Sequence, residues 1–174
     1  MLCSTNSWKQ TEPMKPTVYI ETTIPSLLTA WPNRDLVIAG QQQATREWWE
    51  TRRQAFELFV SADVLDEARR GDSEAAGQRL AALNECRILA ATEAAQSLTK
   101  RILATGLIPP RAATDAAHIG LAAAHGMDFL LTWNCRHIHN AFIERRLAGV
   151  CEAMGFSLPV ICTPLELMAN YLET

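Results

Sequence analysis

Four residues carry side chains suited to hydrolytic chemistry, and Glu21 and Asn134 among them stand just beyond apolar runs: Glu21, Glu67, Asp115 and Asn134. Glu21 directly follows Val18-Tyr19-Ile20, and Asn134 comes two residues after Phe129-Leu130-Leu131-Thr132. Glu67 lies about two helical turns beyond the apolar run at 56–60. Asp115 sits near the start of an alanine-rich stretch. A carboxylate at the end of a buried strand is costly to dehydrate unless charge compensates it. Several such groups converging on one point repel, and a hard divalent cation bound through oxygen resolves the conflict. Taken singly, each acid is more often a helix cap or a solvated side chain. Only convergence makes a site of them.

The elements that must bring them together are short strands alternating with helices. Residues 18–20, 56–60, 87–90, 129–132 and 160–162 have β-type character. Helices are expected over 36–52, 73–83, 92–103, 111–125 and 138–154, with short ones after Ser61 and Pro164. Ser61 is a suitable N-cap for the helix that carries Glu67, and Gly126 stops the alanine-rich one. This alternation implies an α/β fold, a three-layer α/β/α sandwich around a central parallel sheet. In such a sheet, functional groups gather beyond the carboxyl ends of the strands.

A length of 174 residues argues for a single domain, 15–174, behind a flexible N-terminal extension, 1–14. The chain is 48% apolar and 20% charged, ordinary values for a globular protein with a core. No apolar run is long enough to cross a bilayer, and residues 1–13 lack a signal-peptide core, so a cytoplasmic location is expected. The net charge of −3 does not advertise a broadly basic nucleic-acid surface. A metal site escapes that objection, because bound cations reverse the local sign. Five cysteines without a CxxC pair argue against a disulfide framework or zinc ribbon. Cys135, His137 and His139 alternate but lack a fourth partner at zinc spacing, so loop and cap roles are expected. Core or interface packing is the commoner use for the tryptophans, and Trp133 is set apart by adjoining the acids.

Four segments, taken in order, resemble the PIN-domain ribonucleases. Tyr19-Ile20-Glu21-Thr22-Thr23 is similar to their opening strand and first acid. Ser61-Ala62-Asp63-Val64-Leu65-Asp66-Glu67, followed by Gly71-Asp72, is similar to the second motif with its helical glutamate. Asp115-Ala116-Ala117-His118-Ile119-Gly120-Leu121-Ala122 resembles the third, and the stretch from Phe129 through Thr132-Trp133-Asn134 to Ile138 the fourth. Each motif is short, but the ordered set spans 17–163. The likeness is strongest to VapC-like toxins of type II toxin–antitoxin pairs.

The resemblance implies that Glu21, Glu67 and Asp115 hold Mg2+ or Mn2+ and that water hydrolyses an RNA phosphodiester. It gives Thr23, Thr132 and Asn134 the orientation of water or phosphate, and Arg111 and Arg136 the guidance of the RNA backbone. The implied partners are RNA, a cognate antitoxin and a second copy in a homodimer, with the helix of Trp48 and Trp49 as a contact surface. Three residues depart from the family pattern. Glu21 stands for the commoner aspartate, Asn134 for another, and His137 where other members carry a later acid. Three acids hold one metal, and a second only when substrate phosphate contributes oxygens. His118 shares the helix face of Asp115 and either supports a ligand carboxylate or is satisfied at the helix–sheet boundary. The rival reading is a non-catalytic PIN-like module that binds RNA or a protein partner. A phosphotransfer domain is disfavoured, since no DxD pair follows the first strand and no glycine-rich phosphate loop occurs.

Overall fold

The computed structural model describes residues 14–168. All of the expected extension except Met14 lies outside the described residues. In chain order the elements are β1 (Thr17–Ile20), α1 (Thr23–Thr29), α2 (Leu36–Thr51), β2 (Glu57–Ser61), α3 (Ala62–Ala68) and α4 (Ser73–Ala82). They continue as β3 (Arg87–Leu89), α5 (Glu93–Ala104), α6 (Ala113–Ala124), β4 (Phe129–Leu131), α7 (Ala141–Ala153) and β5 (Val160–Cys162).

The five strands form one parallel sheet in the order β3-β2-β1-β4-β5. Right-handed crossovers dictate the layers. The chain steps one way from β1 to β3, then returns past β1 and steps the other way from β4 to β5. Helices therefore cover both faces. Accordingly α1 packs on α2 and α4, while α5 packs on α6 and α7. The fold is the expected three-layer α/β/α sandwich. Its direction reverses between β1 and β4, where doubly wound sheets open a crevice at their carboxyl edge.

Burial on both faces explains the unbroken apolar character of the central strands. Val18, Tyr19 and Ile20 of β1 are wholly buried, as are Leu130 and Leu131 of β4. The two edge strands are three residues long, and Ile88 and Val160 on them are exposed. Thr17 and Asp128 clamp the amino ends of β1 and β4. The Thr17 backbone N–H and hydroxyl both donate to Asp128 Oδ2 at 2.8 Å. At the other end the ladder runs past the strands: Glu21 N donates to Leu131 O (3.1 Å), and Thr132 N to Cys162 O (3.0 Å). Those bonds fix the backbone from which Glu21 and Thr132 project.

Several boundaries differ from the sequence expectation. α7 begins at Ala141, because the carbonyl of Asn134 accepts from Ile138 N and His139 N and makes residues 135–138 a separate turn. Asn140 then caps α7 by accepting from Phe142 N. A 3-10 turn at Pro110–Ala112 precedes α6, since paired prolines cannot supply the helix N–H bonds. Turns, not a helix, follow Pro164 as far as Met168. Trp48 and Trp49 are core residues, so any contact made by α2 would use its other, exposed positions. Trp48 packs on Phe56 with ring centroids 5.8 Å apart. Among the described residues no helix is long and apolar enough to cross a membrane.

The helix carrying Asp115 and His118 lies unusually close to α5. A Cβ added at Gly120 would overlap Thr99 Oγ1 and stand 3.1 Å from both Ala95 O and Thr99 N. Nothing lies within 4 Å of a Cβ at Gly77 in α4. Gly120→Ala is therefore expected to destabilise the protein by about 1–3 kcal/mol. Gly77→Ala should stabilise it by up to about 1 kcal/mol through helix propensity. Urea midpoints of the two variants check the opposite signs.

Candidate active site

Glu21 is the most deeply placed acid, 4% exposed at the carboxyl end of β1. Its Oε2 accepts from the Thr23 hydroxyl (2.5 Å), the Thr23 backbone N–H (3.1 Å) and the Thr132 hydroxyl (2.7 Å). Each threonine is itself a relay. Thr23 Oγ1 accepts from Trp133 N at 2.9 Å, and Thr132 Oγ1 accepts from Asn134 N at 2.9 Å. The turn after β4 thus hands two backbone N–H dipoles, through two hydroxyls, to one carboxylate oxygen. Among the described residues Oε1 takes no hydrogen bond and no Lys, Arg or His forms an ion pair with Glu21.

Glu67 reaches the same region from the last turn of α3. Ser61 starts that helix, its hydroxyl accepting from Val64 N. Glu67 Oε2 accepts from the Thr22 hydroxyl (2.5 Å) and stands 3.7 Å from His118 Nε2, an ion-pair distance too long for a hydrogen bond. The facing His118 imidazole holds the Glu67 carboxyl below the usual glutamate range, against burial and with help from Thr22 and Arg70.

His118 is 1% exposed and is anchored behind by Tyr19, whose hydroxyl lies 2.8 Å from His118 Nδ1 and 2.8 Å from Ser61 Oγ. Burial pushes the Tyr19 phenol far above its usual range, with the charges of Glu21, Asp63 and Glu67 adding, so it keeps its proton. Where Ser61 donates to Tyr19, Tyr19 donates to His118 Nδ1 and the imidazole proton sits on Nε2, toward Glu67; where Tyr19 donates to Ser61, His118 Nδ1 donates to Tyr19. His118 is satisfied through Nδ1 and lies at ion-pair distance, not hydrogen-bond distance, from Glu67.

Asp115 occupies the first turn of α6, and its Oδ2 lies 2.8 Å from His137 Nδ1. His137 is carried there by the turn that Asn134 organises, with Asn134 Oδ1 accepting from His137 N at 3.1 Å. An unbroken chain of contacts therefore runs from Asp115 through His137, Asn134 and Thr132 to Glu21.

All three acids lie at one end of the sheet, each with one oxygen engaged by protein and the other without a hydrogen bond among the described residues. They do not close into a cage: among the described residues no three His, Cys, Asp or Glu side chains form a group able to hold one ion. Thr132 is wholly buried with its hydroxyl committed to Glu21, so it orients a carboxylate and does not meet water or phosphate. Arg111 and Arg136 are exposed and make no ion pair among the described residues. Burial pushes the thiols of Cys86 and Cys162 up to about 12 and that of Cys151 to about 11, leaving none of the three a thiolate at neutral pH.

The positions that sequence reasoning did not place in the site are Tyr19, Thr22 and Ser61, with His137 noted but given no role. Strand alternation was the available signal for Tyr19, which shares a sheet face with Glu21 two residues on. Nothing in the sequence pairs His137 with Asp115.

Thr132→Val removes a donor to Glu21 and an acceptor for Asn134 N, and is expected to cost about 1–3 kcal/mol in chemical denaturation. Glu67 gives a pH signature. Its folded pKa is depressed, so its stabilising contribution is present above the unfolded glutamate pKa and lost as pH falls through the folded one. The stability gap between wild type and Glu67→Gln should therefore shrink below about pH 4.3, as urea titrations at stepped pH will read.

No family model matches the chain, and no curated protein matches it.

Proposed function

We propose that this chain is a metal-dependent ribonuclease of the PIN-domain type, a cytoplasmic toxin of a toxin–antitoxin pair that hydrolyses RNA phosphodiester bonds. The observation that carries the reading is Glu21, a carboxylate buried at the switch point without a cationic partner among the described residues and with one oxygen unengaged. Three neutral hydrogen bonds satisfy one oxygen, and a cation at the other would complete the compensation.

The donor set suits Mg2+ or Mn2+. Glu21, Glu67 and Asp115 offer hard oxygens, and thiolates are absent from the group. Magnesium keeps several waters and often takes one or two carboxylates plus substrate phosphate. When bound, the ion supplies a lowered pKa for attacking water and charge to stabilise the phosphoryl oxygens. The chain's own residues supply placement. Thr23 and Thr132 aim Glu21, His118 and Thr22 aim Glu67, and His137 aims Asp115. Support of this kind fixes carboxylate orientation and raises metal affinity. Arg111 and Arg136 attract the RNA backbone as solvated cations. A cognate antitoxin and a second copy of the chain are the partners that go with this reading.

The second reading, a non-catalytic PIN-like module that binds RNA or a protein, is favoured by Asn134 and His137 standing where the family pattern carries acids. Incubation of the purified chain with manganese and a panel of single-stranded and structured RNAs separates the two. Cleavage is expected, with Asp115→Asn lowering it at least about 100-fold while its circular dichroism and melting stay close to wild type. RNA binding without cleavage by the wild type would establish the second reading.

A further inference from the structure

Beside the acids runs a groove of about 390 Å³, a size typical of small-ligand sites. Thr22 and Thr23, the residues whose hydroxyls hold Glu67 and Glu21, form one wall. Ser26 and Leu27 of α1 and Ile38 and Gln41 of α2 form the rest, with Trp133. The indole of Trp133 is fixed at both ends. Its backbone N–H donates to Thr23 Oγ1 (2.9 Å), and its ring Nε1–H donates to Thr45 Oγ1 (2.8 Å). Thr45 is itself wholly buried and donates to Gln41 O. With its only donor spent inside the protein, the half-buried ring has its π-face left to offer a ligand. Gln41 contributes the complementary chemistry: its side-chain amide makes no hydrogen bond among the described residues.

A rigid indole, two aliphatic side chains and a free primary amide match a flat heteroaromatic ring with a hydrogen-bonding edge. Resting on the ribonuclease reading, we propose that this groove is a base subsite, in which Trp133 stacks the nucleobase adjoining the scissile phosphate of single-stranded RNA and Gln41 contacts its edge. Stacking is sequence-tolerant, and a primary amide can both donate and accept, so the subsite selects for an unpaired base before it selects among bases. Continuity through Thr22 and Thr23 sets the register: a base seated here places its own phosphate toward Glu21 and Glu67.

The test is fluorescence anisotropy with labelled RNA hexamers with calcium in place of manganese, so that the acids are neutralised while cleavage is withheld, followed by cleavage with manganese. The hexamers are either intact or carry one abasic position, moved along the strand. For the wild type, one abasic position should weaken binding roughly tenfold. Trp133→Leu should weaken binding of intact RNA by a similar factor and erase the abasic penalty at that position, while Trp133→Phe retains most of the affinity. Gln41→Ala, at a partly exposed site, gives a second variant whose folding is not at risk and should cost a smaller factor. If RNA is bound and cut but neither variant nor any abasic position changes affinity, the subsite is overturned and the nuclease reading stands. Tight RNA binding with the full pattern but no cleavage keeps the subsite and removes the nuclease. Failure to bind RNA, with an apolar peptide displacing an environment-sensitive dye from the groove, overturns both.

Discussion

The carboxylate of Glu21 sets the terms for everything around it. It projects from the end of a fully buried strand, and leaving it there without compensation would cost several kcal/mol. The chain answers with neutral dipoles. Two threonine hydroxyls, each polarised by a backbone N–H from the turn after β4, converge on a single oxygen. Chains of hydrogen bonds strengthen one another in a low-dielectric setting. That arrangement fixes where Thr132, Trp133 and Asn134 stand, and through Asn134 where His137 stands. The geometry of the whole carboxyl edge follows from satisfying one buried acid.

The same logic repeats at the other two acids with a different partner. Glu67 and Asp115 each face a histidine, His118 and His137. His118 sits behind a tyrosine in the core and is held rigidly, whereas His137 rides on a partly exposed turn. In each case protein contacts fall on one carboxylate oxygen and leave its neighbour open. A site in which each acid keeps one oxygen without a hydrogen bond among the described residues is suited to receive charge. That is the physical basis for the proposed metal.

Much of this edge was legible in the residues. Short apolar runs alternating with helical periodicity gave the parallel sandwich, because a strand covered on both faces has no polar side to show. Ser61, the Glu67 helix and Gly126 follow from capping chemistry, and Gly126 closes α6 with a φ of +63°. The positions of Glu21, Glu67 and Asp115 at one sheet end follow from topology once the alternation is seen. What escaped was set by tertiary contact. Residues 138–140 carry helix-compatible types, yet the Asn134 carbonyl accepts from Ile138 N and His139 N and α7 starts only at Ala141. Core packing was the commoner expectation for the tryptophans, and α2 places Trp48 and Trp49 in the core beside Phe56, though no pattern in the sequence named that partner. The pairing of His137 with Asp115 bridges 22 positions and leaves no periodic trace.

The shared ion is tested most directly by anomalous diffraction from crystals of the full chain soaked in manganese. A peak is expected within about 2.0–2.4 Å of carboxylate oxygens from Glu21 and at least one of Glu67 and Asp115, on the sides that protein hydrogen bonds leave open. Manganese bound elsewhere, or no peak at the carboxyl edge at saturating concentration, would contradict it.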